Sequence, residues 1–259
     1  MKEPLKIVKI GGHIINDEVA LDSFLRLFSE LTGNKVLIHG GGKLATELAE
    51  KLNIPVQLVD GRRITDAQTL AIVTMVYAGK ISKDIVAKLQ SYGCNAIGLS
   101  GADANIILAK KRAVKEIDYG YAGDITKVNS KAIELLLSNN ITPCFSAISH
   151  DGNGQLLNTN ADTIAAELAI ALSDNYEVDL YYCFEKRGVL LQLEDEDSVV
   201  ENIDPNLYEK MKQEKIIAAG MLPKLDNSFY ALGNGVSSIH LGKTSMIFNE
   251  NEKHTTIEK

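Results

Sequence analysis

Lys9-Ile10-Gly11-Gly12 closes one apolar run, and His39-Gly40-Gly41-Gly42 closes another about thirty residues later. Glycine permits close backbone approach and positive φ. A strand that empties into glycines can therefore set N–H groups against anionic oxygens, and a following helix N-terminus adds partial positive charge. One such turn reads equally well as a tight strand-to-helix connection. Two, with Lys9 two residues before the first glycine, favour phosphate handling. Gly220-Met221-Leu222-Pro223-Lys224 sets a further lysine in the first turn of a helix, where a solvated lysine is the plain alternative. Asn158-x-Asn160-x-Asp162 lies where a hairpin enters a helix. Capping explains Asn160 or part of Asp162, but it does not require three polar groups in five residues. Arg63 beside Arg62 is either a surface pair or a carboxylate clamp, a task suited to arginine's planar fork. His13, His39, His150, His240 and His254 show no metal spacing and read as structural or exposed. No Ser-His-Asp or Cys-His arrangement is arguable.

A rival chemistry is written on the same glycines. Gly40-x-Gly42-x-x-Ala45 follows a strand, opens a helix and has Asp60 some twenty residues on, as in a dinucleotide-binding fingerprint for hydride transfer with a nicotinamide cofactor (NAD). Against it, this is the second strand, and the first already carries its own Gly-Gly turn. A Walker A loop is excluded, because Gly42-Lys43 is followed by Leu44 rather than Ser or Thr.

The elements that must position these residues alternate. Strands are expected at Leu5–Ile10, Lys35–His39, Pro55–Val59, Asn95–Leu99, Ile106–Ala109, around Tyr119–Val128, and at Ile141–Ile148, Gln155–Leu157, Val178–Phe184 and Val236–Leu241. Helices are expected from Asn16 or Asp17 to about Thr32, over Lys43–Leu52, and from Thr65 or Asp66 to Leu89 with a bend near Gly79. Others follow at Ser130–Ser138, Ala161–Leu172, Pro205–Lys215 and Leu222–Leu232. Asp151-Gly152-Asn153-Gly154 signals a hairpin, Glu194–Asp197 a surface loop or hairpin, and Ser245–Phe248 a strand pairing with the last one. Alternation of this kind implies a mainly parallel sheet covered on both faces. The lobe boundary is expected near Ser173–Glu177, dividing 1–175 from 176–259.

With 259 residues, 45% hydrophobic and 24% charged, the chain can bury one large core or two lobes. A net charge of -7 argues against nucleic acid or an anionic membrane as partner, so any anion site must be built locally from placed cations. Cys94, Cys144 and Cys183 lie far apart in apolar runs and read as buried free thiols. Nothing near the start resembles a signal peptide, and no apolar stretch approaches a membrane span, so a cytoplasmic location is expected.

Taken together, Lys9-x-Gly11-Gly12, His39-Gly40-Gly41-Gly42, Gly61-x-Arg63-Ile64-Thr65, Asn158-x-Asn160-Ala161-Asp162 and Gly220-Met221-x-x-Lys224 occur in the order and spacing of the acetylglutamate kinases, which they resemble. These belong to the amino acid kinase superfamily. Tyr121-x-Gly123-Asp124-Ile125-Thr126-Lys127-Val128-Asn129 and Gly154-Gln155 extend the match, which runs from Lys9 to about Leu232. The resemblance implies a three-layer α/β/α sandwich, the amino acid kinase fold. Its N-terminal lobe would hold the acyl-glutamate and form the dimer, and its C-terminal lobe would hold ATP. By motif position Lys9 and Lys224 would neutralise the phosphoryl group in flight, and Asp162 would orient them. Gly11 and Gly12 would bring backbone donors to phosphate, and Gly41 and Gly42 to the attacking carboxylate. Arg63 and Asn158 would hold the substrate α-carboxylate. The implied reaction phosphorylates the γ-carboxylate of N-acetyl-L-glutamate, the second step towards arginine. Its nucleophile is already ionised, so no general base is needed; Mg2+ would arrive with ATP rather than on a protein metal site. The absence of an additional N-terminal helix before the first strand implies a homodimer insensitive to arginine, paired through the helix between Asp66 and Leu89.

Three departures from the family pattern stand out. Arg62 replaces the usual aliphatic residue, Phe184-Glu185-Lys186-Arg187-Gly188 replaces a Thr/Ser-Asp-Val-x-Gly pattern on the nucleotide side, and Ala147-Ile148-Ser149 replaces Pro-Ile-Gly. A buried extra carboxylate needs a paired cation, so Arg62 either selects a larger acidic acyl group, as in N-succinyl-L-glutamate, or points to solvent. A non-catalytic amino-acid sensor is a remoter alternative. Retention of both lysines and Asp162 opposes it, since a pure binder has no use for phosphoryl-neutralising charge.

Overall fold

Leu5, Ile7, Val8 and Ile10 occupy both faces of the first strand, Glu3–Ile10, and all four are fully buried. A strand buried on both sides belongs in the middle of a covered, largely parallel sheet. The computed structural model describes residues 2–59, 61–192, 194–214, 216–217, 221–249 and 251–259; Asp60, Lys215 and Gly220, named above, lie outside the described residues. Among these residues the main sheet has eight strands. Their spatial order is Asn202–Ile203, Thr255–Ile257, Ser238–Gly242, Tyr176–Cys183, Glu3–Ile10, Asn34–His39, Thr142–Ser146 and Ala96–Leu99. Neighbours run parallel except where Ser238–Gly242 meets Thr255–Ile257. The register sets Lys9 between Tyr182 and Ile38, close to the carboxyl ends of the strands, where ligands of open α/β sheets bind.

The helix Ala161–Ser173 packs on the central strands and against Leu222–Gly233, while Glu18–Glu30 packs with Ser82–Ser91. The result is the expected three-layer α/β/α sandwich. A second sheet of four strands, in the order Leu156–Asn158, Ile148–His150, Ile107–Lys111 and Gly123–Val128, carries Asn158 at its edge. Where the sequence leaves two capping residues open, one is used. Asp17 accepts from the Ala20 N–H at 2.9 Å, and Asp66 from the Thr69 N–H at 2.7 Å. All three cysteines are buried free thiols. No helix among the described residues is long and apolar enough to cross a membrane.

Several expectations need correction. Ser245–Phe248 is not a strand: Thr244–Ile247 forms a 3₁₀ turn that buries Met246 and Ile247, and the antiparallel partner is Thr255–Ile257. The run Ile141–Ile148 is two strands in different sheets, broken at Ala147. Only Leu58–Val59 of Pro55–Val59 pairs, and it pairs with Arg62–Arg63, so both arginines sit on a short hairpin; proline has no N–H to give a ladder. The long helix does not simply bend at Gly79. Between Ala67–Val73 and Ser82–Ser91 it widens into a π-helical segment, Thr74–Ile81. Such wide turns are rare and tend to occur at functional sites.

Candidate active site

Asp162 lies in the first turn of Ala161–Ser173, where Asn160 caps the helix by accepting from the N–H groups of Asp162 at 2.7 Å and Thr163 at 3.1 Å. From below, the buried Tyr182 hydroxyl donates to the Asp162 carbonyl at 3.0 Å. The carboxylate is shared between two ammonium groups. Lys9 Nζ lies 2.7 Å from Oδ1, and Lys224 Nζ donates to Oδ2 at 2.7 Å. Lys9 comes from the central strand and Lys224 from the first turn of Leu222–Gly233, so the bridge ties together elements from opposite ends of the chain. Burial pushes the Asp162 carboxyl up, but the two lysines outweigh it and hold it at about 2. One carboxylate between two ammoniums leaves net positive charge in a poorly solvated place, suited to a transferring phosphoryl group.

Beside the bridge is a cleft of about 190 Å³ lined by Gly41, Gly42, Arg63, Tyr77, Arg112 and Asn158, among others. Arg63 is buried, and its Nη2 donates to the Gly42 carbonyl at 2.9 Å and to Thr46 Oγ1 at 2.8 Å. Asn158 Nδ2 donates to Thr65 Oγ1 at 3.0 Å, and that hydroxyl donates to the Arg63 carbonyl at 3.0 Å. Thr65 thus joins the two residues expected to grip an α-carboxylate. A second cleft, of about 610 Å³, is lined by Asp162, Thr163, Leu222, Pro223 and Lys224. The clefts share Gly61, Arg62 and Asn160 as a common wall. Arg62 is exposed yet borders both, so it stands between them rather than deep in either.

The glycines differ in what they do. The Gly11 N–H donates to the Cys183 carbonyl at 3.1 Å, so the phosphate donor expected there is committed to the sheet. A Cβ on Gly11 would lie 3.2 Å from that carbonyl, and close approach is what this glycine provides. Gly12 opens the short helix Gly12–Asn16. Gly41 has φ 153 and ψ 22 and precedes the helix Gly42–Lys51, whose first bond runs from the Ala45 N–H to the Gly41 carbonyl at 3.1 Å. Tyr77 and Ile81, both from the π-helical segment, press on Gly41 from above.

The structure therefore brings Lys9, Asp162 and Lys224 together at one point. It gathers Gly41, Gly42, Arg63 and Asn158 around a neighbouring cleft. Sequence reasoning gave no site role to Thr65, Tyr77, Arg112 or Tyr182. Arg112 donates through Nε and Nη2 to Asp124 Oδ1 at 2.9 and 2.6 Å and lies over the Tyr119 ring. In the sequence it closes the run Lys110-Lys111-Arg112, which looks like a solvated face; the signal that could have found it was Asp124, within the Tyr121–Asn129 segment that carries the family pattern.

Comparison with known proteins agrees with this geometry. Residues 4–243 match the amino acid kinase family. The acetylglutamate kinase of Cytophaga hutchinsonii is 55% identical over 254 residues, covering 96% of each chain. That of Phocaeicola vulgatus is 49% identical over 259 residues, covering both chains in full. Among solved structures, smu.665 from Streptococcus mutans has a TM-score of 0.78 at 25% identity over 98% of each chain. An N-acetylglutamate synthase from Neisseria gonorrhoeae, solved with coenzyme A and N-acetyl-glutamate, has a TM-score of 0.83 at 21% identity over 98% of this chain and 59% of that one, a likeness of fold alone. The chain belongs to the amino acid kinase family and, within it, to the acetylglutamate kinases.

Proposed function

We propose that this protein transfers the γ-phosphoryl group of ATP to the γ-carboxylate of N-acetyl-L-glutamate, giving ADP and the acyl phosphate in the second step of arginine biosynthesis. The observation that carries the reading is the Lys9–Asp162–Lys224 bridge beside a cleft walled by Arg63, Asn158 and the Gly41-Gly42 turn. A γ-carboxylate oxygen attacks the terminal phosphorus, and the bond from that phosphorus to the β–γ bridging oxygen breaks. The attacking oxygen carries no proton at neutral pH, so positioning and charge neutralisation supply the catalysis. Lys9 and Lys224 face the phosphoryl oxygens from two sides, and Asp162 keeps both aimed. The Gly41, Gly42 and Gly12 N–H groups serve the reacting anions, and Arg63 with Asn158 takes the α-carboxylate. Residues 1–175 then form the acyl-glutamate lobe and 176–259 the ATP lobe. Magnesium enters with the nucleotide's phosphates; the Asp162 carboxylate is already held on both oxygens by lysines and is not offered to a metal. Membership of a kinase family displaces the oxidoreductase reading of Gly40-x-Gly42-x-x-Ala45.

A second reading rests on Arg62, which borders the substrate cleft with a guanidinium that an N-acetyl group does not need. It is the same reaction on N-succinyl-L-glutamate, with Arg62 meeting the extra carboxylate. ADP release from Mg-ATP with each acyl-glutamate tests both. Under the first reading acetyl is preferred and Arg62→Leu leaves the preference unchanged. Under the second, succinyl is preferred, and Arg62→Leu lowers its kcat/KM by about tenfold or more while sparing acetyl. Turnover with neither substrate would remove the functional proposal.

The reading includes a homodimer paired through the long helix. Met75 is exposed on its π-helical segment and borders a groove of about 920 Å³ with Leu44, Leu48 and Val76. An apolar groove of that size with charged edges suits burial against a second copy. Light scattering should give twice the 28.2 kDa chain mass; one chain or six would contradict the pairing. The cytoplasm is the proposed compartment, which three buried cysteines kept as free thiols support.

A further inference from the structure

His39 ends the strand Asn34–His39 and is fully buried, and no step of the transfer uses it. Its Nδ1 lies 2.9 Å from the carbonyl oxygen of Gly40. A carbonyl oxygen only accepts, so Nδ1 must carry the hydrogen, and in the neutral ring Nε2 is then bare. Nε2 is buried with no hydrogen-bond partner among the described residues. Burial lowers the imidazole pKa to about 4, against a smaller upward pull from the Gly40 bond, and keeps the ring neutral.

This one bond fixes a direction. In a trans peptide the C=O and the following N–H point opposite ways. Holding the Gly40 carbonyl against the His39 ring aims the Gly41 N–H away from that ring, and Gly40, Gly41 and Gly42 all line the cleft. The next two carbonyls are also occupied. That of Gly41 accepts from the Ala45 N–H at 3.1 Å, and that of Gly42 accepts from Arg63 Nη2 at 2.9 Å and Thr46 Oγ1 at 3.0 Å. Three successive glycines have no side chains of their own to hold such an orientation. Without an anchor, the Gly40–Gly41 peptide is free to turn its oxygen to the cleft and present negative charge to an anionic substrate.

We propose that His39 is a positioning residue whose Nδ1–H pins the Gly40 carbonyl, so that the Gly41 N–H stays aimed at the anionic oxygens of the reacting groups. This rests on reading the cleft as the acceptor site. The test compares His39→Leu with His39→Asn, whose side-chain amide nitrogen can sit near the position of Nδ1. For His39→Leu, kcat with the acyl-glutamate should fall at least about tenfold while the KM for ATP stays within about twofold; His39→Asn should restore most of the rate. Equal impairment of both variants, or wild-type kcat in both, would overturn the proposal. Nitrogen-15 NMR of the unmodified protein gives an answer that does not depend on any variant folding. His39 should show protonated Nδ1 and bare Nε2 with no titration between about pH 5 and 8. A protonated Nε2 would overturn it equally. Wild-type turnover measured alongside separates the two ideas, because an inactive wild type strikes the functional reading while the NMR result still decides the hydrogen bond.

Discussion

Asp162→Asn is expected to reduce kcat by roughly a thousandfold at saturating substrates. The change preserves size and removes only the charge that two lysines share. Like charges a few ångströms apart repel by about 4 kcal/mol at an effective dielectric near 20, so Lys9 and Lys224 would part. Their parting would remove the paired cations from the phosphoryl path proposed above. Lys9, with a side chain 11% exposed, would also be left without its counter-charge. Breaking a buried pair from one side costs about 3 kcal/mol or more, readable as a lower urea midpoint. The pH dependence has a definite sign. Asp162 is held at about 2, below its ordinary 3.8, because the lysines outweigh burial. Its stabilisation is therefore complete above pH 3.8 and disappears as pH falls through 2. Between those values the wild type should lose stability more steeply than Asp162→Asn. A kcat within tenfold of wild type would show that the bridge does not aim the catalytic cations.

Gly41→Ala should be nearly as damaging, by a different route. With φ at 153, Gly41 occupies backbone space that L side chains rarely adopt. An added Cβ would overlap Ile81 Cδ1 and come within 2.9 Å of Tyr77 Cδ1. Strain and overpacking together predict a loss of about 2–4 kcal/mol, and the displaced donor predicts kcat lower by about a hundredfold. Gly40→Ala is the control for stability. A Cβ at Gly40 would meet nothing within 4 Å, so the melting temperature of this variant should stay within a few degrees of wild type. Comparable melting losses for the two would rule out the steric account.

Elements with a strong local signal were legible from sequence. Ser130–Ser138 lies where its periodicity puts it, and Asp66 and Asn160 cap the helices they precede. The misreadings arose where tertiary contacts decide. Met246, Ile247 and Phe248 are a contiguous apolar run, and nothing local distinguishes a strand from a 3₁₀ turn packed into the core. The strand that does pair, Thr255–Ile257, is only three residues long and too short to show a period. For the site, motif order singled out Lys9, Asp162 and Lys224. It could not show that one carboxylate serves both lysines, because that depends on where Leu222–Gly233 docks against Ala161–Ser173. Gly11 shows the reverse case. Its sequence context suggests a donor to phosphate, and only strand register reveals that the Cys183 carbonyl has taken the N–H.

The wide turn Thr74–Ile81 has a mechanical meaning as well as a geometric one. An ordinary helix running past the cleft that Tyr77 lines would keep its usual 3.6-residue turn through this stretch. Here the middle of the helix is wound wider, with Met75 exposed on the outer side and Tyr77 and Ile81 resting on Gly41 on the inner. Whatever packs on Met75 therefore sits a short stretch of chain from the side chains that rest on Gly41.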